Sequence, residues 1–162
     1  MDNLLILGAG QYGMLVYEIA QSTGLFEKIS FLDDKNEIAI GKTADFEKYK
    51  GEYKRAIVAI GNADVRLELL EKLKKAKYDL SPLISPRAWV SPSAIIGEGV
   101  VIEPNATVST KAEIGFGCLV SAGAVVNHNG VLCDGSHANC NSTVTAGGKI
   151  PYKKKSDCGE VF

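Results

Sequence analysis

The chain has 162 residues, 46% hydrophobic and 23% charged, with a formal net charge of −1 at pH 7. These totals suit one domain or two small ones in a soluble globular protein, and no basic stripe with interleaved aromatics points to nucleic acid. Its apolar runs are too short to span a bilayer and the first residues lack the features of a secretory signal, so the chain reads as cytoplasmic, without membrane insertion. Cys118, Cys133, Cys140 and Cys158 show no CxxC or regular ligand spacing, so they read as buried or incidental thiols and no metal site is expected.

In chain order, Asn3 to Leu7 is a short apolar strand that runs into Gly8-Ala9-Gly10-Gln11-Tyr12-Gly13 and a helical stretch through about Thr23. A Gly-x-Gly-x-x-Gly loop in that context lets backbone N–H groups approach a phosphate at the positive end of the helix. The other use of such glycines is tight packing of strand against helix. Lys28 to Leu32 reads as a second strand ending in Asp33-Asp34. Asp33 follows Gly13 by twenty residues, where a dinucleotide fold places the carboxylate that holds a ribose; a solvated turn is the alternative. Thr43 to Lys50 is a short helix, and Arg55 to Ile60 is a third strand bounded by Gly61-Asn62. Asp64 to Ala76 has the apolar spacing of an amphipathic helix, on Val65, Leu69, Leu70 and Leu73. Alternating strands and helices imply a small parallel sheet, Rossmann-like in character. At about eighty residues this half is roughly half of a two-lobed dinucleotide fold, so a mononucleotide fits better than NAD.

The prolines of Ser81-Pro82-Leu83-Ile84-Ser85-Pro86 mark a boundary near residue 82, giving domains 1–82 and 83–162. From Ile84 a six-residue beat begins, with Ile84, Val90, Ile96, Ile102, Val108, Ile114, Val120, Val126, Leu132, Ala138, Val144 and Ile150 at its first position. Its fifth position is small, as in Ala106, Ala112, Cys118 and Ala124. Its fourth is mostly Gly or Asn, as expected for a corner forced into positive φ. This is the signature of an all-β hexapeptide-repeat β-helix, in which short strands coil around a narrow core. After Ile150 the pattern fades. Lys153 to Lys155 read as a charged, frayed tail more readily than as a phosphate contact, and Tyr152, Val161 and Phe162 are candidates to fold back as a cap.

In this frame His128 is a third position, whose side chain points outward, and His137 is a sixth. Histidine titrates near neutral pH, so an outward imidazole is suited to take a proton during a reaction. A plain surface histidine is the competing reading at both positions. Asn129 falls at the corner position shared with Asn105 and Asn141.

The run GAGQYG, the FLDD of Phe31 to Asp34, the AIGN of Ala59 to Asn62 and the hexads carrying Asn127-His128-Asn129 occur here in one order. In this the chain resembles the sugar O- and N-acyltransferases of the left-handed β-helix class, among them sialic acid O-acetyltransferases and N-acetyltransferases of UDP- or dTDP-linked 4-amino-sugars. The resemblance runs from Asn3 to about Ala146. It implies a small Rossmann-like domain for the nucleotide-sugar and a left-handed β-helix that forms a homotrimer, with acetyl-CoA as co-substrate between neighbouring helices. By position, Gly10, Gln11, Tyr12, Asp33, Asp34, Gly61 and Asn62 would border the nucleotide-sugar. His128 would be the general base, and His137 would contact the thioester end of acetyl-CoA. Family members often carry a glutamate after the catalytic histidine; here Asn129 stands beside it, and a corner role accounts for it. The family's glycine near the acyl donor aligns with Ala146, one residue before Gly147. The family's β-helix normally runs several coils further, so the resemblance implies a C-terminally short one.

The expected function is acetyl transfer from acetyl-CoA to a nucleotide-linked amino-sugar in surface glycan biosynthesis, direct, with His128 as base. The alternatives are O-acetylation of a sugar such as sialic acid, a nucleotide-sugar-binding protein that has lost transfer with its last coils, and an NAD-binding regulator.

Overall fold

A computed structural model describes residues 2–162. The chain divides into two compact units, Met1–Ser81 and Pro82–Phe162.

In the first unit, β1 (Asp2–Leu7) lies between β2 (Phe26–Leu32) and β3 (Arg55–Val58) in a three-stranded parallel sheet of order β2-β1-β3. Leu4 to Leu7 and Ala56 to Val58 are buried, as near-continuous apolar runs must be in a parallel sheet covered on both faces. Helix α1 (Gln11–Thr23) follows β1, and Gly24 ends it in the left-handed conformation at φ 66°. Helix α2 (Ala63–Lys75) follows β3 and is capped by Asn62, whose side chain accepts the Val65 N–H. The short helix expected at Thr43 to Lys50 is a 3₁₀ helix over Thr43–Tyr49.

The inner face of α2 differs from the expected stripe. Val65 is exposed, and the next residue, Arg66, is fully buried with Leu70 and Leu73. One guanidinium nitrogen of Arg66 donates to Ile60 O and Gly61 O, each at 2.9 Å. The carbonyls at the end of the third strand need donors, so a cation takes the inward place that apolar spacing assigned to Val65.

In the second unit the hexads stack into a left-handed parallel β-helix. Twelve two-residue strands form three parallel sheets, one per face of the prism. The first face holds β4 (Leu83–Ile84), β7 (Val101–Ile102), β10 (Leu119–Val120) and β13 (His137–Ala138). The second holds β5 (Trp89–Val90), β8 (Thr107–Val108), β11 (Val125–Val126) and β14 (Thr143–Val144). The third holds β6 (Ile95–Ile96), β9 (Glu113–Ile114), β12 (Val131–Leu132) and β15 (Lys149–Ile150). First-position side chains from Ile102 to Ile150 are at most 2% exposed, and Ala106, Ala112, Cys118 and Ala124 fill the space between them. Each buried aliphatic of this size contributes about 1.5–3 kcal/mol of hydrophobic stabilisation. The corners turn through positive φ at nearly every fourth position, including Asn105 (62°), Lys111 (54°), Asn129 (57°) and Gly147 (70°). Ser93 is an exception to the expected corner geometry; its hydroxyl instead accepts the Lys111 N–H at 3.1 Å.

The coiling does not stop at Ile150. Lys153 and Gly159 take the corner conformation at φ 58° and 72°, and bridges join His137 to Lys155 and Thr143 to Val161. Ser156 occupies the next inward position, 1% exposed, and Phe162 packs on the core at the one after. The expected frayed tail and folded-back cap are therefore replaced by two further hexads, which extend the first and second faces of the same prism. The repeat was masked because a serine and a phenylalanine stand where branched aliphatics stood before.

Candidate active site

Three loops meet at the carboxyl ends of the parallel strands in the first unit. The chain leaves β1 toward β2 and later returns to the other side of β1 as β3, so β1 and β3 flank a topological switch point, the place where open α/β sheets bind ligands. Gly8, Gly10 and Gly13 have different jobs there. A Cβ on Gly8, at φ 107°, would lie 2.6 Å from Ala59 O, and one on Gly13 would lie 2.2 Å from Gly8 O. Both glycines are thus required by strand-to-helix packing. Gly10 is not, because a Cβ there meets nothing within 4 Å. It is the N-cap of α1, and neither a side-chain cap nor an acidic residue covers that first turn. The helix therefore presents its positive end to an open space beside Gln11 and Tyr12.

Asp33 is tied into the same loop. Its Oδ2 accepts the Ala9 N–H at 2.8 Å and its Oδ1 accepts the N–H groups of Lys35 and Asn36, each at 2.9 Å. Asn36 grips Ala9 from the other side, donating to its carbonyl at 2.6 Å. The bond from Ala9, followed by that from Lys35, holds the Asp33 carboxyl below the usual carboxylate range. Asp34 is exposed and accepts both the N–H and the hydroxyl of Thr43. Asn62 caps α2 from the β3 loop, and a Cβ on the exposed Gly61 would meet nothing within 4 Å.

In the second unit His128 and Asn129 sit together on a corner, both exposed. His128 Nδ1 lies 3.3 Å from Asn129 Oδ1, and the His128 N–H donates to Asn127 Oδ1 at 2.7 Å. With Nδ1–H donating to that amide oxygen, Nε2 is left proton-free, as a base requires. Asn129 thus serves both readings: its φ of 57° makes the corner and its side chain addresses the ring. Ala146 and Gly147 stack one coil further along at the same corner, where the Gly147 N–H donates to His128 O at 3.1 Å. That bond belongs to the ladder between coils, so this amide is already engaged.

His137 lies elsewhere in the chain's own prism. It is on β13, in the first face, while His128 follows β11 in the second. Nor is it a solvated side chain: it is 9% exposed, with Nε2 2.8 Å from Ser121 Oγ. Ser121 donates in turn to Glu103 Oε1 at 3.1 Å. Glu103 and Arg66 are the buried charged groups that sequence reasoning missed; the period marks which positions face inward but says nothing of a polar row across coils. The third face carries a groove of about 520 Å³ lined by Ile95, Val131, Cys133, Asp134 and Tyr152, and it contains none of the expected site residues. Cys118 is buried and Cys158 exposed, and none of the four thiols is in a disulfide. Among the described residues no cluster of His, Cys, Asp or Glu has the makings of a metal site, and no helix is long and apolar enough to cross a membrane.

A glycine loop on a small parallel sheet, followed by a left-handed β-helix with an outward histidine, is an arrangement that comparison with known proteins places in a class. Residues 3–73 match the family described as the PglD N-terminal domain. UDP-N-acetylbacillosamine N-acetyltransferase of Bacillus subtilis (strain 168) is 37% identical over 114 residues, which is 63% of this chain and 51% of that protein. The chain thus spans about half the length of that relative. The acetyltransferase domain of PglB from Neisseria gonorrhoeae FA1090 superposes with a TM-score of 0.95 at 30% identity, over 99% of this chain and 82% of that one. The same domain has been solved in complex with acetyl coenzyme A, with a TM-score of 0.95, 30% identity and coverage of 99% and 81%. A variant of perosamine N-acetyltransferase from Caulobacter crescentus, in complex with CoA and GDP-perosamine, shares the fold with a TM-score of 0.69 at 20% identity, over 96% of this chain and 91% of that one. The chain belongs to the sugar acyltransferase family of left-handed β-helix, hexapeptide-repeat transferases.

Proposed function

We propose that the protein is an acetyl-CoA-dependent N-acetyltransferase acting on a nucleotide-linked amino-sugar in the cytoplasmic steps of surface glycan biosynthesis. The observation that carries this reading is the His128–Asn129 corner: an exposed imidazole whose Nδ1 is engaged by an amide oxygen, leaving Nε2 as base. In direct transfer, Nε2 takes a proton from the sugar ammonium-derived amine as its nitrogen attacks the thioester carbonyl. The C–N bond forms, the C–S bond breaks, and the proton passes to the departing thiolate of CoA. Backbone amides meet the transient oxyanion. The first unit holds the nucleotide, its phosphates at Gly10, Gln11 and Tyr12, with Asp33, Asp34, Gly61 and Asn62 on the flanking loops. His137, Ala146 and Gly147 serve the acyl donor.

Because His128 and His137 lie on different faces of one prism, a complete site needs a second copy to bring the two together, and we assign the working form to a homotrimer. Exposed Trp89 and Ile95, at 54% and 65%, are apolar surface that such packing would cover.

His128→Ala is the test. Turnover is expected to fall by about 10²–10⁴-fold, the usual contribution of a positioned general base, with the affinity for the nucleotide-sugar unchanged. Turnover equal to that of the unaltered enzyme would remove His128 from the mechanism.

A further inference from the structure

Glu103, Ser121 and His137 form a buried row across three successive coils of the first face, and no step described above uses Glu103. The three are 4%, 4% and 9% exposed. Glu103 stands at a second position of its hexad, where Ser85, Ser91, Gly97, Ser109 and Gly115 show that the fold accepts a small residue. The prism therefore does not ask for a carboxylate there, and burying one is costly unless its oxygens are bonded. Both are. Oε2 accepts the Ala122 N–H at 2.9 Å and Oε1 accepts the Ser121 hydroxyl at 3.1 Å. Burial pushes the Glu103 carboxyl up, and the bonds from Ala122 and Ser121 oppose that shift. Two donors facing the group are satisfied together by the ionised form.

A serine hydroxyl has one proton. With that proton directed at the carboxylate, Ser121 Oγ can meet His137 Nε2, 2.8 Å away, only as an acceptor. Nε2 must then carry a hydrogen, and in the neutral ring Nδ1 is proton-free. We propose that Glu103 is a positioning residue which, through Ser121, holds His137 in the Nε2–H tautomer with Nδ1 as a hydrogen-bond acceptor. Its bearing on catalysis rests on the assignment of His137 to the acyl-donor site. There, Nδ1 is enclosed by the chain's own atoms, and a ring in this tautomer carries no proton on it. It cannot donate from that atom to a thioester oxyanion, which leaves the oxyanion to backbone amides.

The tautomer is read directly by two-bond ¹H–¹⁵N correlation spectra of the full chain at pH 8. The sequence has only two histidines, and His128→Ala assigns the other. The unaltered protein is expected to show His137 with the hydrogen on Nε2. Glu103→Gln is expected to reverse it: the Ala122 N–H requires the amide oxygen, so the NH₂ faces Ser121, whose proton turns to Nε2 and shifts the ring hydrogen to Nδ1. Should Glu103→Gln fail to fold, Ser121→Ala breaks the same row and is expected to yield a mixture of both tautomers. A proton on Nδ1 of His137 in the unaltered protein, or a pure Nε2–H pattern in the folded variant, overturns the proposal. His137→Ala with an unchanged KM for acetyl-CoA would instead remove the donor-site assignment and leave the tautomer result standing.

Discussion

Asn129 is the residue at which backbone and chemical roles are hardest to separate, because one side chain both tolerates φ 57° and sits 3.3 Å from the ring of His128. Substitution separates them. Asn129→Gly keeps the left-handed corner at little strain but removes the amide from His128, whereas Asn129→Ala removes the amide and adds about 1–2 kcal/mol of backbone strain. Thermal unfolding is expected to show the glycine variant close to the unaltered protein and the alanine variant several degrees lower. Turnover is expected to fall in both, by roughly tenfold for a lost hydrogen bond of about 1.4 kcal/mol. Full turnover in Asn129→Gly would reduce Asn129 to its corner role. The sequence pattern made the corner legible, since Asn105 and Asn141 recur at the same place. The contact to His128 was not legible, because the direction of a side chain at a corner depends on the turn and not on the period.

At the scale of elements, the loop between β1 and α1 divides its glycines between packing, at Gly8 and Gly13, and an open helix end, at Gly10. Gly13→Ala would force a Cβ to 2.2 Å from Gly8 O and is expected to destabilise the first unit by more than about 2 kcal/mol. Gly10→Ala meets nothing within 4 Å, so the melting temperature should stay within about 2 °C while affinity for the nucleotide-sugar drops at least tenfold. Equal affinity in the folded Gly10→Ala variant would mean that no phosphate approaches that helix end. Sequence alone left both uses of the motif open, because it does not report which glycine faces a carbonyl. The same limit applies to α2: period placed Leu70 and Leu73 inside, but the burial of Arg66 in place of Val65 is dictated by the carbonyls of Ile60 and Gly61, which a helical wheel does not represent. The β-helix was the most legible element, since a narrow prism admits one size of side chain at each inward position. Its last two hexads were lost from view where Ser156 and Phe162 replaced the aliphatics.

At the scale of the molecule, His128 and His137 stand on different faces, so the proposed roles of the two would make assembly part of the chemistry. Sedimentation velocity at micromolar concentration is expected to give three times the 17.3 kDa chain mass, and a monomer under those conditions would leave each site without its second half. The central claim is that the paired units transfer an acetyl group from CoA to a nucleotide-linked amino-sugar. It is tested most directly by following release of the free CoA thiol when the protein is offered acetyl-CoA with a panel of UDP- and dTDP-linked amino-sugars. Thiol release that depends on a sugar bearing a free amine, and that is lost in His128→Ala, is the expected result. No release above background with any member of the panel, from a protein that binds those nucleotides, would contradict it.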